Sequence, residues 1–225
     1  MKDLITIGLP SKGRLKDKAI SFFNDKGLKI LQSEKERNYF GTIENENNIK
    51  IIFLHAKEII QRLGDGTLDI GVSGLDLLKE SNKNLQNKIN IQKKLNFGNA
   101  NLVIAVPDDW IDVQTIADLE EVSFDIRSIR NSRLRVATKY PNLTNDFLTS
   151  KGVTQYRLII SLGATETYPF IGSSEIITDI TSTGKTLADN NLRVLKDGLI
   201  LSSNAYLFIA KKKAAKLQPF LKSFV

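Results

Sequence analysis

Segment 172–187 concentrates residue types that could bind a phosphorylated ligand. It opens with a strand pattern in which Glu175 and Asp179 fall on one face, because successive strand residues alternate sides. We therefore expect two carboxylates near the carboxyl end of this strand, where open α/β sheets bind ligands. The strand is followed by a polar turn made of Thr181, Ser182, Thr183, Gly184, Lys185 and Thr186.

This turn has the chemistry that a phosphoribosyl donor requires. Hydroxyls and backbone amides ahead of a helix bind anions, and Gly184 lets the backbone approach a phosphate closely. Paired carboxylates can accept hydrogen bonds from the diol of a ribose. A simple helix cap would explain one serine or threonine, but not four of them beside glycine and lysine. The run Gly184-Lys185-Thr186 is not a P-loop, because Asp179 stands where that motif needs glycine.

A basic turn at Lys12, Gly13 and Arg14 follows the apolar strand pattern of residues 4–9 and precedes a helix pattern. Cations at a helix N-terminus oppose the helix dipole, which favours anions there. A bound phosphate would remove that conflict, so we expect this turn to hold phosphate groups. The alternative is a solvated basic turn without a ligand.

A second turn, at Ser73 and Gly74, follows the strand pattern of residues 68–72. It offers backbone amides at the same sheet edge as the basic turn. Asp69 and Asp76 flank it, and Asp76 could equally cap the helix that follows. Elsewhere, Lys139 follows a further strand end and is another candidate for a ligand contact.

The order of the elements predicts an α/β protein with two lobes and a cleft between them. Strand and helix patterns alternate over residues 4–79, and again beyond residue 100, which is typical of parallel sheets covered by helices. The polar stretch 80–96 separates the two sets and predicts a loose connection. We assign residues 1–97 plus 188–225 to lobe I and residues 98–187 to lobe II.

Composition narrows the function classes. The 225 residues carry a net charge of +7, no cysteine and a single histidine, His55, which we interpret as structural. The lysines are scattered and no nucleic-acid-binding motif accompanies them, so we expect no nucleic-acid partner. With no run of 18 apolar residues and no signal-peptide pattern, we expect a cytoplasmic protein that does not contact membranes.

Several stretches resemble the ATP phosphoribosyltransferase (HisG) family. The turn at 181–186 is similar to that family's phosphoribosyl diphosphate loop. Four further stretches match in the same order along nearly the whole chain: Leu9-Pro-Ser-Lys-Gly-Arg-Leu15, Gly66-Thr-Leu-Asp-Ile-Gly-Val-Ser-Gly-Leu-Asp-Leu-Leu78, Ala137-Thr-Lys-Tyr-Pro-Asn-Leu-Thr144 and Gly163-Ala-Thr-Glu166. One position departs from the pattern, because much of the family carries aspartate where this chain has Glu175.

The resemblance implies a fold like that of type II periplasmic binding proteins, with a mixed, mainly parallel sheet in each lobe. It implies transfer of the phosphoribosyl group from phosphoribosyl diphosphate to N1 of ATP, the first step of histidine biosynthesis. Phosphoribosyl diphosphate would bind Glu175, Asp179 and the turn 181–186. Catalysis would rest on three cationic residues, Lys12, Arg14 and Arg37. ATP would contact seven residues, Lys12, Gly13, Arg14, Asp69, Ser73, Gly74 and Glu166.

The resemblance also implies Mg²⁺ carried by the substrate phosphates, with no protein metal site. Because the chain stops after the catalytic lobes, it resembles the family's short form. We therefore expect a regulatory partner similar to histidyl-tRNA synthetase, and a homodimer of catalytic chains. Two other classes share the architecture. They are a two-lobed solute-binding protein without catalysis and the ligand-sensing half of a transcription regulator.

Overall fold

The computed structural model describes residues 4–32 and 39–221. Within them the strands are β1 (Ile5–Pro10), β2 (Ile30–Gln32), β3 (Phe40–Ile43), β4 (Glu46–Leu54), β5 (Ile70–Gly74), β6 (Ile89–Lys94), β7 (Ala100–Pro107), β8 (Leu134–Thr138), β9 (Tyr156–Ile160), β10 (Ile176–Thr181), β11 (Leu192–Ser203) and β12 (Ala205–Ala210). The helices are α1 (Gly13–Asp25), α2 (Ala56–Asp65), α3 (Leu75–Glu80), α4 (Lys83–Gln86), α5 (Ile116–Arg130), α6 (Pro141–Ser150), α7 (Lys185–Asp189) and α8 (Ala214–Leu221).

The chain divides into two compact units, the first made of Met1–Gly98 and Asn204–Val225 and the second of Asn99–Ser203. The boundary expected at residues 187–188 is therefore wrong, because residues 188–203 belong to the second unit. The physical reason is strand β11, which pairs antiparallel with β7 and extends the sheet of that unit.

The first unit is built on a seven-stranded mixed sheet with the order β2-β3-β4-β1-β5-β12-β6. Strand β1 lies between β4 and β5 and runs parallel to both. Strands β3 and β12 run against the others. Helix α1 buries Phe23 on one face of this sheet, together with Ile7 and Leu9. Helix α2 buries Ile59 on the other face, so the sheet is covered on both sides.

Helix α2 can approach this closely because two glycines face it. A Cβ added at Gly71 would lie 2.5 Å from Cγ2 of Ile59, and one added at Gly8 would lie 2.5 Å from Cδ1 of Leu68. A side chain at Gly71 would push the helix outward, and one at Gly8 would displace Leu68, which lies just after the helix. Gly71 therefore sets the distance between α2 and the central strands, and Gly8 makes room for Leu68.

The second unit is a five-stranded sheet with the order β11-β7-β10-β8-β9. Strands β10, β8 and β9 are parallel neighbours, whereas β7 runs antiparallel to β10 and β11. The carboxyl ends of β8, β9 and β10 consequently meet at one edge. Buried residues of α5 and α6 cover one face of the sheet, and Leu187 of α7 packs on the other.

One expectation about the connection between the lobes is wrong. Stretch 80–96 is not a loose segment, because it contains helix α4 and strand β6. Strand β6 closes the sheet as an edge strand, where polar and charged residues are tolerated. Ile89 is buried while Gln92 and Lys94 are exposed, so its composition is that of a loop although its backbone is paired.

Among the described residues, none of the helices combines the length and the apolar character that are needed to cross a lipid bilayer.

Candidate functional site

In the second unit, the carboxyl edge of the parallel strands gathers several of the predicted residues. Asp179 lies near the end of β10, Lys139 follows β8, and Glu166 lies in a short 3₁₀ turn (Thr165–Thr167) after β9. Lys139 and Glu166 are close enough to Asp179 to influence its ionisation. This edge therefore brings together Asp179, Glu166 and Lys139, as expected for strand ends that point the same way.

The carboxyl group of Asp179 has a raised pKa. Burial raises its pKa above the ordinary value, and the negative charge of Glu166 adds to the rise. The backbone amide of Ile180, which donates to Oδ1 of Asp179 at 2.8 Å, and the charge of Lys139 oppose the shift without cancelling it. A partly desolvated carboxylate of this kind gains by binding hydroxyl donors.

The turn after β10 is folded by its own hydroxyls. Oγ1 of Thr181 accepts the amide of Gly184 at 2.8 Å, and Oγ1 of Thr183 accepts the amide of Lys185 at 3.3 Å. Gly184 has φ of 76° and ψ of −8°, a left-handed conformation that favours glycine. The side chains of Ser182, Thr183, Lys185 and Thr186 are exposed. The turn thus presents hydroxyls and an ammonium group to solvent.

Two hydroxyl pairs, which were not predicted from the sequence, fix the neighbouring loops. Oγ1 of Thr138 lies 3.1 Å from Oγ1 of Thr144 and accepts the amide of Tyr140 at 2.9 Å. Oγ of Ser161 lies 2.9 Å from Oγ1 of Thr165. All these hydroxyls are buried, so they hold the loops that carry Lys139 and Glu166. The readable signal was a threonine or serine at the end of each strand, since Thr138 is the last residue of β8 and Ser161 follows β9.

The expected placement of Glu175 is wrong. Glu175 precedes β10, so it lies at the amino end of that strand, about 13 Å along the backbone from Asp179. Its carboxylate pairs with Arg135, whose Nη2 donates to Oε1 at 2.7 Å and whose backbone amide donates to Oε2 at 2.6 Å. Burial alone would raise the pKa of Glu175, but the bonds from Arg135 outweigh it and the pKa is lowered.

In the first unit, Lys12, Gly13 and Arg14 begin helix α1 at the carboxyl end of β1. All three are exposed, Lys12 makes no capping hydrogen bond, and no acidic residue occupies the first turn. Lys12 and Arg14 form no ion pair within the part of the chain that the structure describes. The helix start therefore carries uncompensated positive charge, which suits an anionic ligand.

Ser73 and Gly74 end strand β5, next to β1 in the same sheet. Oγ of Ser73 is fully buried and donates to the carbonyl of Ala56 at 2.8 Å, so this hydroxyl is used inside the fold. Gly74 precedes α3, and a side chain there would collide with the carboxylate of Asp76. The Ser73 hydroxyl is already engaged, so this turn would contact a ligand mainly through its backbone groups.

The assignment of Asp69 to the ligand site is wrong. Asp69 precedes β5 and lies at the amino edge of the parallel strands, opposite the turn at Ser73. Its side chain is buried and accepts from Nζ of Lys213 at 2.8 Å and from the amide of Thr6 at 2.7 Å. Burial would raise the pKa of Asp69, but these hydrogen bonds give a net lowering. Asp69 ties the C-terminal segment to the sheet.

Arg37 lies outside the described residues. Of the predicted site residues, the structure thus groups Asp179, Glu166 and the turn 181–186 in the second unit. In the first unit it groups Lys12–Arg14 with the turn at Ser73 and Gly74. Each group lies at the carboxyl edge of parallel strands in an α/β unit. The chain is therefore an α/β protein whose predicted ligand residues lie at the carboxyl edges of parallel strands, where folds of this class bind ligands.

Comparison with known proteins identifies the family within that class. The family HisG, ATP phosphoribosyltransferase, matches residues 55–224. An ATP phosphoribosyltransferase from Rhizobium etli is 45% identical over 222 residues, which cover 98% of this chain and 96% of the relative. One from Brucella melitensis is 46% identical over 209 residues, covering 92% and 90%. The chain belongs to the ATP phosphoribosyltransferase family.

Solved structures agree on the fold. The ATP phosphoribosyl transferase (HisG:HisZ) complex from Thermotoga maritima contains a chain that matches with a TM-score of 0.74 and 24% identity, over 98% of this chain and 96% of that one. The arginine-bound form of truncated ArgBP from T. maritima matches with a TM-score of 0.54 and 12% identity, over 98% and 94%. The α/β fold expected from the sequence, with its likeness to periplasmic binding proteins, is confirmed.

Proposed function

We propose that this chain transfers the phosphoribosyl group of phosphoribosyl diphosphate to N1 of ATP. The products are phosphoribosyl-ATP and pyrophosphate, and the reaction opens histidine biosynthesis. Membership of the family supports the enzyme class. The observation that carries the proposal to this chain's own residues is the turn after β10, where Asp179 stands beside a hydroxyl-rich anion site.

Asp179 and the turn would hold the donor by its two ends. The carboxylate of Asp179 is suited to accept hydrogen bonds from the ribose diol, because it is partly desolvated and accepts one hydrogen bond, from the amide of Ile180, among the described residues. The exposed hydroxyls of Ser182 and Thr186 and the ammonium of Lys185 are suited to the 5′-phosphate. Bound in this way, the ribose would be fixed with C1 available for attack.

Lys12 and Arg14 would bind phosphate groups at the start of α1. Both are exposed cations next to the unpaired amides of a helix of 13 residues. Charge on the leaving pyrophosphate grows during the reaction, so these groups would bind the transition state more tightly than the substrates. Arg37 and Glu166 remain further candidates, Arg37 for pyrophosphate and Glu166 for ATP.

The chemistry needs no protein nucleophile. A lone pair on N1 of ATP forms a bond to C1 of the ribose, while the bond from C1 to the pyrophosphate oxygen breaks and its electron pair leaves with pyrophosphate. Positive charge develops on the ribose in between, close to where the carboxylate of Asp179 would lie. Positioning and electrostatic stabilisation would then supply most of the rate enhancement.

Mg²⁺ would enter with the phosphates and neutralise part of their charge. Within the described residues no group of three His, Cys, Asp or Glu side chains is arranged to hold a metal ion. Mg²⁺ commonly binds through substrate phosphates and water together with one or two carboxylates, which is the form we propose here.

We also propose a regulatory partner, because the T. maritima chain with this fold was solved in a HisG:HisZ complex. Histidine should then inhibit a mixture of this chain and such a partner, but not this chain alone. Inhibition assays with and without the partner test the idea, and saturable histidine binding to the isolated chain would contradict it.

The reaction itself is tested by measuring pyrophosphate release with both substrates and Mg²⁺, and with each substrate alone. We expect release only when ATP and phosphoribosyl diphosphate are both present. Binding of either substrate without any release would instead favour a solute-binding protein.

A further inference from the structure

Two loops at the carboxyl edge of the second unit carry the charged residues that act on Asp179. Lys139 follows β8, and Glu166 lies in the 3₁₀ turn after β9. Lys139 is exposed, Glu166 is partly exposed, and neither forms an ion pair within the part of the chain that the structure describes. Their places near Asp179 must therefore be set by the backbone that carries them.

The loop of Lys139 is held by a pair of threonine hydroxyls. Oγ1 of Thr138, the last residue of β8, lies 3.1 Å from Oγ1 of Thr144 in α6 and accepts the amide of Tyr140 at 2.9 Å. Both threonines are fully buried, so water does not compete for these hydrogen bonds. Since Thr138 and Tyr140 flank Lys139, the arrangement fixes the backbone on both sides of the lysine.

The turn of Glu166 is held by a second buried pair. The hydroxyl of Ser161 donates to the carbonyl of Gly163 at 3.1 Å, so its oxygen can accept from the hydroxyl of Thr165, which lies 2.9 Å away. Between them, Ala164 has φ of 43° and ψ of 48°, a left-handed conformation that is strained for alanine. Such strain persists only where surrounding contacts over-determine the backbone, and the hydroxyl pair spans the strained residue.

The two hydroxyl pairs are joined through the backbone. The amide of Ser161 donates to the carbonyl of Thr138 at 2.9 Å. The side chain of Thr138 therefore binds the loop of Lys139, while its carbonyl binds the first residue after β9. The hydroxyls of Thr138, Thr144, Ser161 and Thr165, together with this hydrogen bond, form one buried network across the ends of β8 and β9, which we call the edge network.

Lys139 and Glu166 act on Asp179 in opposite senses. Burial raises the pKa of Asp179, the positive charge of Lys139 lowers that pKa, and the negative charge of Glu166 raises it. The other titratable side chains on the described elements that mainly contact β10 are those of Arg135, Tyr168, Lys185 and Asp189. The arginine is paired at the opposite end of β10, and the two residues of α7 are exposed.

We propose that the edge network is a positioning device, which holds Lys139 and Glu166 in fixed places beside Asp179. Its hydroxyls are buried, so they act through these two charged side chains and not by contact with a substrate. The network thereby sets how much of Asp179 is ionised at a given pH, and the ionised carboxylate is the stronger acceptor for a ribose diol. This last consequence rests on the proposed function, whereas the positioning of the two charges does not.

Substitution of one threonine in each pair separates positioning from simple stability. Thr165→Val removes a hydroxyl but keeps the branched shape, so Glu166 should no longer be held near Asp179 and the pKa of Asp179 should fall. Thr144→Val loosens the loop of Lys139 in the same way, so the pKa of Asp179 should rise. Thr165→Ser and Thr144→Ser are the matched controls, because each keeps its hydroxyl, and both should leave that pKa at the parent value.

Carbon-detected nuclear magnetic resonance of the side-chain carboxylates over a pH series measures the pKa of Asp179 in the full chain without substrates. The signal of Asp179 is assigned by its absence in Asp179→Asn. Glu166→Gln sets the limit of the downward shift, because it deletes the charge outright, and Thr165→Val should add nothing to it. Circular dichroism checks that the variants fold. If a valine variant does not fold, Ser161→Ala or Thr144→Ala breaks the same pair.

The two valine variants should shift the pKa of Asp179 in opposite directions. Shifts of the same sign, no shift in the folded variants, or a further shift when Thr165→Val is added to Glu166→Gln would overturn the proposal. Calorimetric titration with phosphoribosyl diphosphate over the same pH range tests the link to the reaction, because the pH at which affinity declines should follow the measured pKa. If the pKa shifts as expected but donor affinity does not follow, the positioning stands and Asp179 does not hold the donor.

Discussion

Replacement of Asp179 by Asn should separate function from stability. The change keeps the shape of the side chain and its acceptor for the amide of Ile180, but removes the charge. A hydrogen bond from a ribose hydroxyl to a charged acceptor contributes about 1.5–3 kcal/mol. Its loss should weaken binding of phosphoribosyl diphosphate by roughly 10- to 150-fold. Calorimetric titration of the folded variant measures this directly.

The stability of the same variant should not fall with its donor affinity, and at neutral pH it should stay equal or rise. Burial raises the pKa of Asp179, so the folded state disfavours its charged form. The parent therefore has its full stability from this group in acid and loses part of it as the pH rises through the raised pKa. At neutral pH, the free energy of unfolding of Asp179→Asn should consequently equal or exceed that of the parent. In acid, this difference in stability should vanish. Urea titrations at several pH values measure it.

Asp189→Asn serves as the matched control, since Asp189 is an exposed carboxylate on α7. We expect it to leave donor affinity unchanged and stability within a few tenths of a kcal/mol. If Asp179→Asn binds the donor as tightly as the parent does, Asp179 does not hold the ribose. If it binds weakly because it unfolds, the carboxylate is structural.

Three further substitutions test the other assignments. Glu175→Gln should lower the free energy of unfolding by about 1–3 kcal/mol, because it breaks the bidentate pair with Arg135, and should leave donor affinity within twofold, which calorimetry checks. Lys213→Met should cost about 1–3 kcal/mol by leaving the buried Asp69 carboxylate without its cation, less than for a fully buried pair because the Lys213 side chain is 36% exposed. Arg14→Ala should lose roughly 2–4 kcal/mol of transition-state stabilisation in kcat/KM while its melting temperature holds or rises.

Each of these has its own control. The pKa values of Glu175 and Asp69 are lowered, so both carboxylates add stability above their unfolded pKa values that is lost as the pH falls through the folded ones. The cost of Glu175→Gln should therefore shrink in acid. Adding Asp69→Asn to the Lys213 variant should recover most of the loss. Arg14→Lys should still be damaging, because lysine cannot donate two parallel hydrogen bonds. These assignments would be contradicted if the stability lost in Glu175→Gln did not depend on pH, or if both Arg14 variants kept full activity.

The sequence predicted the alternation of strands and helices because buried parallel strands are continuous apolar runs. It failed at β6, because this edge strand is mostly polar and buries only Ile89, so it lacks that pattern. It also failed to assign β11 to the second unit, since pairing with β7 joins residues about 90 positions apart and leaves no local signal. Helix α5 was not predicted, although the capping box of Thr115 and Asp118 is a readable signal for its start.

The sequence could predict which residues directly follow a strand and therefore lie together at its carboxyl end. It could not predict the residue at which a strand begins, and so it could not tell which end of the strand a carboxylate occupies. Thr181–Thr186 follow β10, so their grouping with Asp179 follows from the chain. Glu175 shares a face with Asp179 by alternation, but the strand begins only at Ile176. Partners distant in the chain, Arg135 for Glu175 and Lys213 for Asp69, then decide what each carboxylate does.

The central claim is a new bond between the ribose C1 of the donor and N1 of ATP. The most direct test is nuclear magnetic resonance of the reaction with ATP isotopically labelled at N1 and phosphoribosyl diphosphate labelled at C1. We expect a one-bond coupling between the two labels to appear as pyrophosphate accumulates, and to be lost in Asp179→Asn under subsaturating donor. Pyrophosphate release without that coupling, or a coupling to another atom of ATP, would contradict the account.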